Sequence, residues 1–287
     1  MPSRQFVASI GWWPFAKRFV WRQLNKRLLG RGVSIRLPTG LVMYAPRWSQ
    51  SASEAVYTNA DVDWGSERLL VRHLDKAGTF IDVGAHVGYY TLYVAPRVQK
   101  VYAFEPDARS FAALSRNLAQ CAHAEPVNKA VFSKSGTMEM IKRGDTAGFS
   151  HLVGPNGSPA GNKRSIEVVS VDDWMLKRTN ERVTGIKIDI DGLDFEVLMG
   201  AMETIERDQP LVLIEFFPSE TNNFDDLFDA LDRLNYAAFA FKRGDGTTHP
   251  LYRLSRGTAE HGCVKMIFLT PSRLEDTFGL VLCEGQR

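Results

Sequence analysis

Two carboxylates stand 23 residues apart in this chain, each near the end of an apolar run that reads as a strand. Asp82 precedes a turn that contains Gly84 and Gly88, and Glu105 ends the run VYAFE. Glycines in such a turn let the backbone approach a ligand closely, and the amides that start the next helix face that ligand. A carboxylate at the tip of the following strand can accept hydrogen bonds from both hydroxyls of a ribose. Together these residues predict a nucleoside site.

The turn favours a nucleoside without phosphates. A dinucleotide-binding turn has the spacing GxGxxG, whereas this one reads Asp-x-Gly-x-x-x-Gly and lacks the close glycine pair that makes room for a pyrophosphate. Asp82 would repel phosphate but can accept a hydrogen bond from an ammonium group, so S-adenosylmethionine (SAM) fits better than NAD. The alternative is that Asp82 only caps the helix after the turn. The predicted cofactor-binding residues are Asp82, Gly84, Ala85, His86, Gly88, Thr91, Glu105, Pro106, Asn128 and Ala130.

A second group of acids follows the apolar run GIKI. Alternation along a strand places Lys187, Asp189 and Asp191 on one side. These three are predicted catalytic residues, with Asp189 and Asp191 as general bases and Lys187 pairing with Asp189 to keep it ionised. Glu215, at the end of the run LVLIE, adds a carboxylate that we expect to face the substrate.

Residues 143–164 form a glycine-rich stretch that we expect to be a long loop, able to close over the cleft. Within it, His151 is an alternative base, and Ser150 is expected to orient substrate. Two or three of the acids Asp189, Asp191 and Glu215 could also hold Mg²⁺. A lysine on the same face competes with a cation, so metal is allowed by the sequence but not favoured.

The elements that position these residues follow a regular pattern from residue 79 onward. Short β-branched runs alternate with helical stretches, which predicts a mostly parallel sheet covered by helices on both faces. Before it, two alternating runs around Pro38-Thr39-Gly40 predict a hairpin. The predicted strands of the alternating region are 79–84, 99–105, 125–132, 184–190 and 210–216, and the run GCVKMIFLT is predicted as a last strand.

The 287 residues have an ordinary globular composition, with 44% apolar and 24% charged residues. Three widely spaced cysteines suggest neither a disulfide framework nor a zinc site and fit a reducing compartment. The net charge of +2 is uneven, because residues 1–53 contain nine Lys or Arg and no Asp or Glu. We therefore divide the chain into a basic helical arm (1–33), a hairpin and helical cap (34–77) and a cofactor-binding domain (78–287).

The arm has two interpretations. It contains no apolar run long enough to span a bilayer and no signal-peptide pattern, so a cytoplasmic protein is expected. Its helix either packs on the body or lies against anionic lipid at the inner membrane surface, with tryptophans at headgroup level. On a helical wheel, one side carries Val20, Trp21, Leu24 and Leu28, and further tryptophans are Trp12 and Trp13. Nucleic acid is not an expected substrate, because the body is acidic and no Asn-Pro-Pro-Tyr-like tetrapeptide follows residues 184–190.

Five stretches in one order resemble the FkbM family of SAM-dependent methyltransferases. They are FIDVGAHVGYYTL, VYAFEPDARSFAALSRNL, VNKAVFSKSGTMEM, IEVVSVDDWM and GIKIDIDGLDFEVLMGA. The resemblance covers residues 34–217 and implies a class I methyltransferase fold: a Rossmann-like, doubly wound, mostly parallel α/β sheet of seven strands with one antiparallel strand. It also implies methyl transfer to oxygen of a sugar or natural product. Asp191 and Asp194 stand where the family pattern Lys-Ile-Asp-x-Glu-Gly-x-Glu has glutamates, one methylene shorter.

The sequence thus predicts a SAM-dependent O-methyltransferase that acts on a hydroxyl of a saccharide, lipid-linked glycan or secondary metabolite. Two alternatives stay open. One is a non-catalytic SAM-binding module that docks to a membrane or partner through its arm, although the set of acids at three strand ends argues against lost chemistry. The other is an NAD-type oxidoreductase, against which the missing GxGxxG argues. No pattern indicates the oligomeric state or the acceptor.

Overall fold

A computed structural model describes residues 7, 10–58, 62–63, 65–142, 150–152, 162–190, 192–216, 224–242, 251–256 and 264–275. The helices are α1 (Trp12–Gln23), α2 (Ser51–Thr58), α3 (Ser66–His73), α4 (Tyr89–Val94), α5 (Ala108–Leu118), α6 (Val171–Leu176), α7 (Asp194–Met199), α8 (Met202–Asp208) and α9 (Phe224–Leu234). A π-helical turn, Leu24–Leu28, extends α1.

The first eight strands are β1 (Val33–Arg36), β2 (Val42–Ala45), β3 (Thr79–Val83), β4 (Lys100–Phe104), β5 (Ala124–Val127), β6 (Ala130–Val131), β7 (Gly136–Lys142) and β8 (Ser150–Leu152). Those that follow are β9 (Asn162–Val169), β10 (Val183–Ile188), β11 (Leu211–Ile214), β12 (Tyr236–Lys242), β13 (Leu251–Leu254) and β14 (Val264–Pro271). The predicted hairpin is present, because β1 and β2 pair antiparallel.

The main sheet has the strand order β13-β12-β14-β11-β10-β3-β4-β5. β3, β4, β5, β10 and β11 are parallel, and β14 runs antiparallel to β11 and β12. The predicted doubly wound sheet of seven strands with one antiparallel strand is therefore confirmed. An eighth strand, β13, lies antiparallel at the edge beside β12. The strand order reverses at β3, and at such a switch point the carboxyl ends of neighbouring strands leave a crevice.

The two faces of the sheet are packed by different parts of the chain. On one face, Ile81 and Ile186 join a core that includes Met175 of α6 and Leu231 of α9. On the other, Phe80 joins a core that extends through the cap and α1 to α4 and α5. Two charged residues interrupt this second face, Asp82 of β3 and Lys187 of β10, which are direct partners in the parallel register. Alternation along each strand puts both on the same side.

A second, smaller sheet was not expected from the sequence. β6, β9, β7 and β8 form it in that order, so the predicted strand 125–132 is divided between two sheets. The predicted loop 143–164 is also wrong in part, since β8 and the first residues of β9 lie within it, while residues 143–149 and 153–161 lie outside the described residues. β9 alternates buried Ile166 and Val168 with exposed Glu167, which is a strand pattern. This strand begins at Asn162, so it extends back into the stretch that was predicted as a loop.

α1 is fixed to the cap by a buried arginine. The Arg22 side chain is fully buried, and its guanidinium donates to the Ser53 hydroxyl (3.0 and 3.1 Å) and to the carbonyls of Ala45 (2.9 Å) and Pro46 (2.6 Å). Burial lowers the pKa of Arg22. The acceptors of these hydrogen bonds lie at the end of β2 and on α2. Arg22 therefore fixes the position of α1 relative to both elements. No helix in the described part of the chain is both long and apolar enough to span a bilayer.

We expect Arg22→Met to lower the free energy of unfolding by about 3 kcal/mol, because it leaves buried carbonyl and hydroxyl oxygens without donors. Urea unfolding followed by circular dichroism measures the loss. Arg27→Met, at an exposed position five residues later, is the matched control and should change stability by less than about 0.5 kcal/mol. Equal stability of the two variants would contradict the anchoring role of Arg22.

Candidate active site

A cavity of about 370 Å³ lies at the carboxyl ends of β3, β4 and β10, where the strand order reverses. Six of the predicted cofactor residues line it: Gly84, Ala85, His86, Glu105, Pro106 and Ala130. Three of the predicted catalytic and substrate residues, Lys187, Asp189 and Glu215, line the same cavity. The structure therefore brings together residues from five separate parts of the chain.

The ammonium group of Lys187 holds the centre of the site. It lies 3.5 Å from Asp82 Oδ1 and 3.2 Å from Asp189 Oδ2, and it donates to the carbonyls of Val83 (3.2 Å) and Gly84 (3.0 Å). Burial acts to lower the pKa of Lys187, but the carboxylates of Asp189 and Asp82 outweigh it and raise that pKa above its ordinary value. Lys187 is therefore a permanently charged link between the ends of β3 and β10.

Asp82 has a different position from the one expected. Its side chain is fully buried and does not line the cavity. One oxygen accepts a hydrogen bond from the Thr91 hydroxyl (2.5 Å), and the other faces Lys187. Burial raises the pKa of Asp82, while Lys187 and Thr91 act to lower it. The ammonium group that this carboxylate meets belongs to Lys187, and neither Asp82 nor Thr91 lines the cavity.

Gly84 and Gly88 shape the turn after β3. Gly84 has φ +74°, and a Cβ there would lie 2.0 Å from the carbonyl oxygen of Asp189, so both conformation and space require glycine. Gly88 has φ +88° and precedes α4, whose first turn has no side-chain cap. The alternative in which Asp82 caps this helix is therefore wrong.

Glu105 faces the turn from the end of β4. Its two carboxylate oxygens accept hydrogen bonds from the backbone N–H groups of His86 and Asp107, both at 2.8 Å. Burial raises the pKa of Glu105 to about 7, although these two hydrogen bonds act to lower it. Each oxygen retains a lone pair. A fixed carboxylate beside a cavity can accept two hydrogen bonds from a diol.

His86 packs inside the turn. Its backbone has φ +53°, and its ring makes an edge contact with Trp48, with 5.8 Å between ring centres. Burial lowers the pKa of His86 to about 4, and the Lys187 ammonium acts in the same direction. Its Nε2 atom is buried and has no hydrogen-bond partner among the described residues. A neutral imidazole therefore borders the cavity near pH 7.

Asn128 supports the site from outside the cavity. Its side-chain amide donates to the carbonyls of Glu105 (2.8 Å) and Pro106 (3.3 Å). It is exposed and does not line the cavity, unlike Ala130 two residues later. Asn128 thus positions the backbone that follows β4.

Asp189 and Glu215 follow β10 and β11 and line the cavity. β10 ends at Ile188, so Asp189 belongs to the turn rather than to the alternating strand, yet it reaches Lys187. The Glu215 N–H donates to the Ile188 carbonyl (2.9 Å), which sets the ends of β10 and β11 side by side. The pairing of Lys187 with Asp189 is as the sequence predicts.

Asp194 has a local role. Its carboxylate accepts hydrogen bonds from the backbone N–H groups of Ile190 (2.9 Å) and Gly192 (3.0 Å), and it is buried. Burial raises the pKa of Asp194 to about 6. This residue fixes the turn between β10 and α7, and a shorter acid suits that close contact.

Three predicted site residues lie wholly or partly outside the described structure. Asp191 lies outside the described residues, and of Ser150 and His151 only the backbone, in β8, is described. Within the described ranges, no three His, Cys, Asp or Glu side chains lie close enough together to hold a metal ion. Of the acids named for Mg²⁺, Asp189 and Glu215 border the same cavity.

One wall of the cavity was missed by sequence reasoning. It comes from the cap, where Gln50, Ser51 and Glu54 line the cavity together with Asp63. The Tyr90 hydroxyl donates to Asp63 Oδ2 (2.6 Å) and so links this wall to α4. No periodicity or motif marks residues 48–63, and only their packing on the turn after β3 reveals the wall.

Three solved structures illustrate what the chain is similar to. Methyltransferase FkbM from Methylobacillus flagellatus KT is 15% identical with a TM-score of 0.44, and the match covers 84% of this chain and 60% of that one. An rRNA methylase from Streptococcus thermophilus is 13% identical with a TM-score of 0.43, over 72% of this chain and 93% of that one. A tRNA (uracil-54, C5)-methyltransferase from Pyrococcus abyssi, in complex with S-adenosyl-L-homocysteine, is 13% identical with a TM-score of 0.44, over 84% and 44%.

These similarities are too low to indicate what this chain acts on, and it spans less than two thirds of the first and third of these proteins. A comparison with curated protein sequences finds no match. The family model described as the methyltransferase FkbM domain, in contrast, matches residues 82–238, from the acid before the glycine turn to β12. That match spans more than half of the chain, and the protein therefore belongs to the FkbM methyltransferase family.

Proposed function

We propose that this protein transfers the methyl group of SAM to a hydroxyl oxygen of a saccharide, lipid-linked glycan or secondary metabolite. The observation that carries this proposal is the cavity in which Glu105 and the glycine turn face Asp189 and Glu215. A nucleoside and an acceptor would meet there, because both sets of residues line one space at the switch point of the sheet.

The residues present fit SAM better than a phosphorylated cofactor. Glu105, fixed by two backbone hydrogen bonds, would hold the ribose hydroxyls, and the backbone of Gly84 and Ala85 would lie against the ligand. The carboxylates that line the cavity favour a ligand with positive charge over one with phosphates. They are those of Glu54, Asp63, Glu105, Asp107, Asp189 and Glu215. SAM supplies an electrophilic methyl group on a sulfonium.

Asp189 is the proposed general base. Methyl transfer needs the acceptor oxygen aligned with the donor, and its hydroxyl proton becomes strongly acidic as the new C–O bond forms. A carboxylate then suffices to accept the proton. Lys187, 3.2 Å from Asp189 Oδ2, favours the ionised form of that carboxylate and fixes its position. Glu215 would hold another hydroxyl of a polyhydroxylated acceptor.

SAM binding should depend on pH through Glu105. Because the pKa of Glu105 is raised to about 7, the carboxylate is ionised above that pH and protonated below it. A protonated carboxyl cannot accept both ribose hydrogen bonds, so we expect affinity for SAM to fall as pH decreases from about 8 to about 6. Isothermal titration calorimetry measures this profile.

Glu105→Gln is the matching variant. We expect it to bind SAM about tenfold more weakly at high pH and to lose the pH dependence. Glu125→Gln, on the exposed edge of β5, should keep the wild-type profile. Tighter binding of NAD than of SAM by the wild-type protein would rule out the proposed cofactor.

Asp189→Asn should retain SAM binding and lose turnover by a factor of about 10² or more, because the amide cannot take the acceptor's proton. Turnover is measured with SAM carrying a labelled methyl group and a panel of saccharides and hydroxylated metabolites. Asp229→Asn, an exposed acid on α9, is the control. Full activity of Asp189→Asn would assign the base to another residue.

The buried pair of Lys187 and Asp82 can be separated from catalysis by a double variant. Lys187→Met should destabilise the fold by about 3–5 kcal/mol, because it leaves the Asp82 carboxylate buried without its counter-ion. Adding Asp82→Asn should restore most of this stability, yet turnover should stay low because Asp189 still lacks its partner. Thermal unfolding and the labelled-methyl assay measure the two effects. Recovery of turnover along with stability would reduce Lys187 to a purely structural role.

A further inference from the structure

The outward side of α1 exposes apolar side chains to solvent. Of the ten large hydrophobic residues that are exposed in the described chain, seven lie within residues 12–29. Trp13 is 78% exposed, Leu28 75% and Trp12 67%. We name these seven residues the outward patch: Trp12, Trp13, Val20, Trp21, Leu24, Leu28 and Leu29. A concentration of exposed apolar side chains on one segment points to an interaction site.

The outward patch lies on the side of α1 opposite to the side that packs on the protein. Phe15 and Arg22, seven residues apart, are buried on the other side of the same helix, and Arg22 makes its hydrogen bonds to the cap there. Trp13 and Val20 are also seven residues apart and lie away from that buried side. The helix therefore has one satisfied inner side and one apolar outer side.

Basic residues accompany the patch. Lys17 and Arg27 are exposed within the same segment, and residues 1–53 contain no Asp or Glu. No ion pair between described side chains involves residues 12–29. Burial lowers the pKa of Lys26, and the positive charges of Arg22 and Arg27 lower it further. A negatively charged surface would relieve this repulsion.

We propose that the outward patch docks this protein on a membrane that contains anionic phospholipid. Tryptophan rings suit the headgroup level, leucine and valine side chains enter the acyl boundary, and lysine and arginine meet the lipid phosphates. A second copy of the chain fits less well, because a symmetric contact of patch with patch would bring the two basic arms together. Nucleic acid would account for the cations but not for exposed Val20 and Leu28. The proposal is independent of the methyl transfer.

Flotation of the full-length protein with vesicles tests the docking. Vesicles of phosphatidylcholine with phosphatidylglycerol are compared with vesicles of phosphatidylcholine alone, at low salt and at about 0.5 M salt, where charges are screened. We expect the protein to float with the anionic vesicles at low salt, at least tenfold more weakly at high salt, and at least tenfold more weakly with neutral vesicles. A blue shift of tryptophan fluorescence should accompany binding.

Two variants separate the apolar and the charged contributions. Trp13→Ser/Leu28→Ser and Lys17→Glu/Arg27→Glu should each reduce binding at least tenfold. The matched control is Leu176→Ser/Lys177→Glu, an exposed apolar and basic pair at the end of α6, which packs on the other face of the sheet. It should bind as the wild-type protein does. Circular dichroism and unfolding curves show that each variant is folded.

Flotation that fails with the wild-type protein overturns the proposal, and so does equal flotation of the wild-type protein and both patch variants. A wild-type dimer that becomes a monomer in Trp13→Ser/Leu28→Ser, without vesicle binding, would assign the patch to a second copy. Binding to RNA without vesicle binding would assign it to nucleic acid. Loss of SAM binding or turnover in the Glu105 or Asp189 variants has no bearing on flotation, so the two proposals fail separately.

Discussion

A single buried ammonium group joins the two central strands where the cavity opens. Lys187 reaches the carboxylates of Asp82 and Asp189 and the carbonyls of Val83 and Gly84, so its charge is met by oxygens from the ends of β3 and β10. Burying a charge is costly unless it is paired and hydrogen-bonded, and here both conditions hold. The position of the glycine turn and of the acid at the end of β10 both depend on this contact.

The environment divides the acids of the site into distinct tasks. Asp82 lies behind the turn and balances Lys187, whereas Glu105 borders the cavity and is fixed by two backbone N–H groups. Asp194 holds the turn after β10, and Asp189 combines contact with Lys187 and exposure to the cavity. Residue type alone does not distinguish these roles. The role of each carboxylate depends on how deeply it is buried beneath the strand ends and on which hydrogen-bond donors it contacts. These two properties separate the carboxylates that support the fold from those that border the cavity.

The sequence was sufficient wherever structure is local. Buried β-branched runs marked β3, β10 and β11, and glycine spacing marked the turn that Glu105 faces. It failed where distant segments meet. Asp82 was assigned to a ligand because its true partner, Lys187, comes from a strand more than 100 residues later, and only the register between β3 and β10 brings them together. The cap wall around Gln50 and Asp63 was missed for the same reason, since no pattern marks it.

The guanidinium of Arg22 has a consequence for how distant surfaces communicate. It binds Ser53 and the Ser49 carbonyl (3.4 Å), and the residues between them, Gln50 to Ala52, border the cavity. This short segment therefore contacts Arg22 of α1 on one side and borders the cavity on the other. A rotation of α1 would displace residues 50–52 as long as the hydrogen bonds of Arg22 to Ser53 and Ser49 stay intact. A shift of α1 would therefore be felt at the cavity wall through these hydrogen bonds.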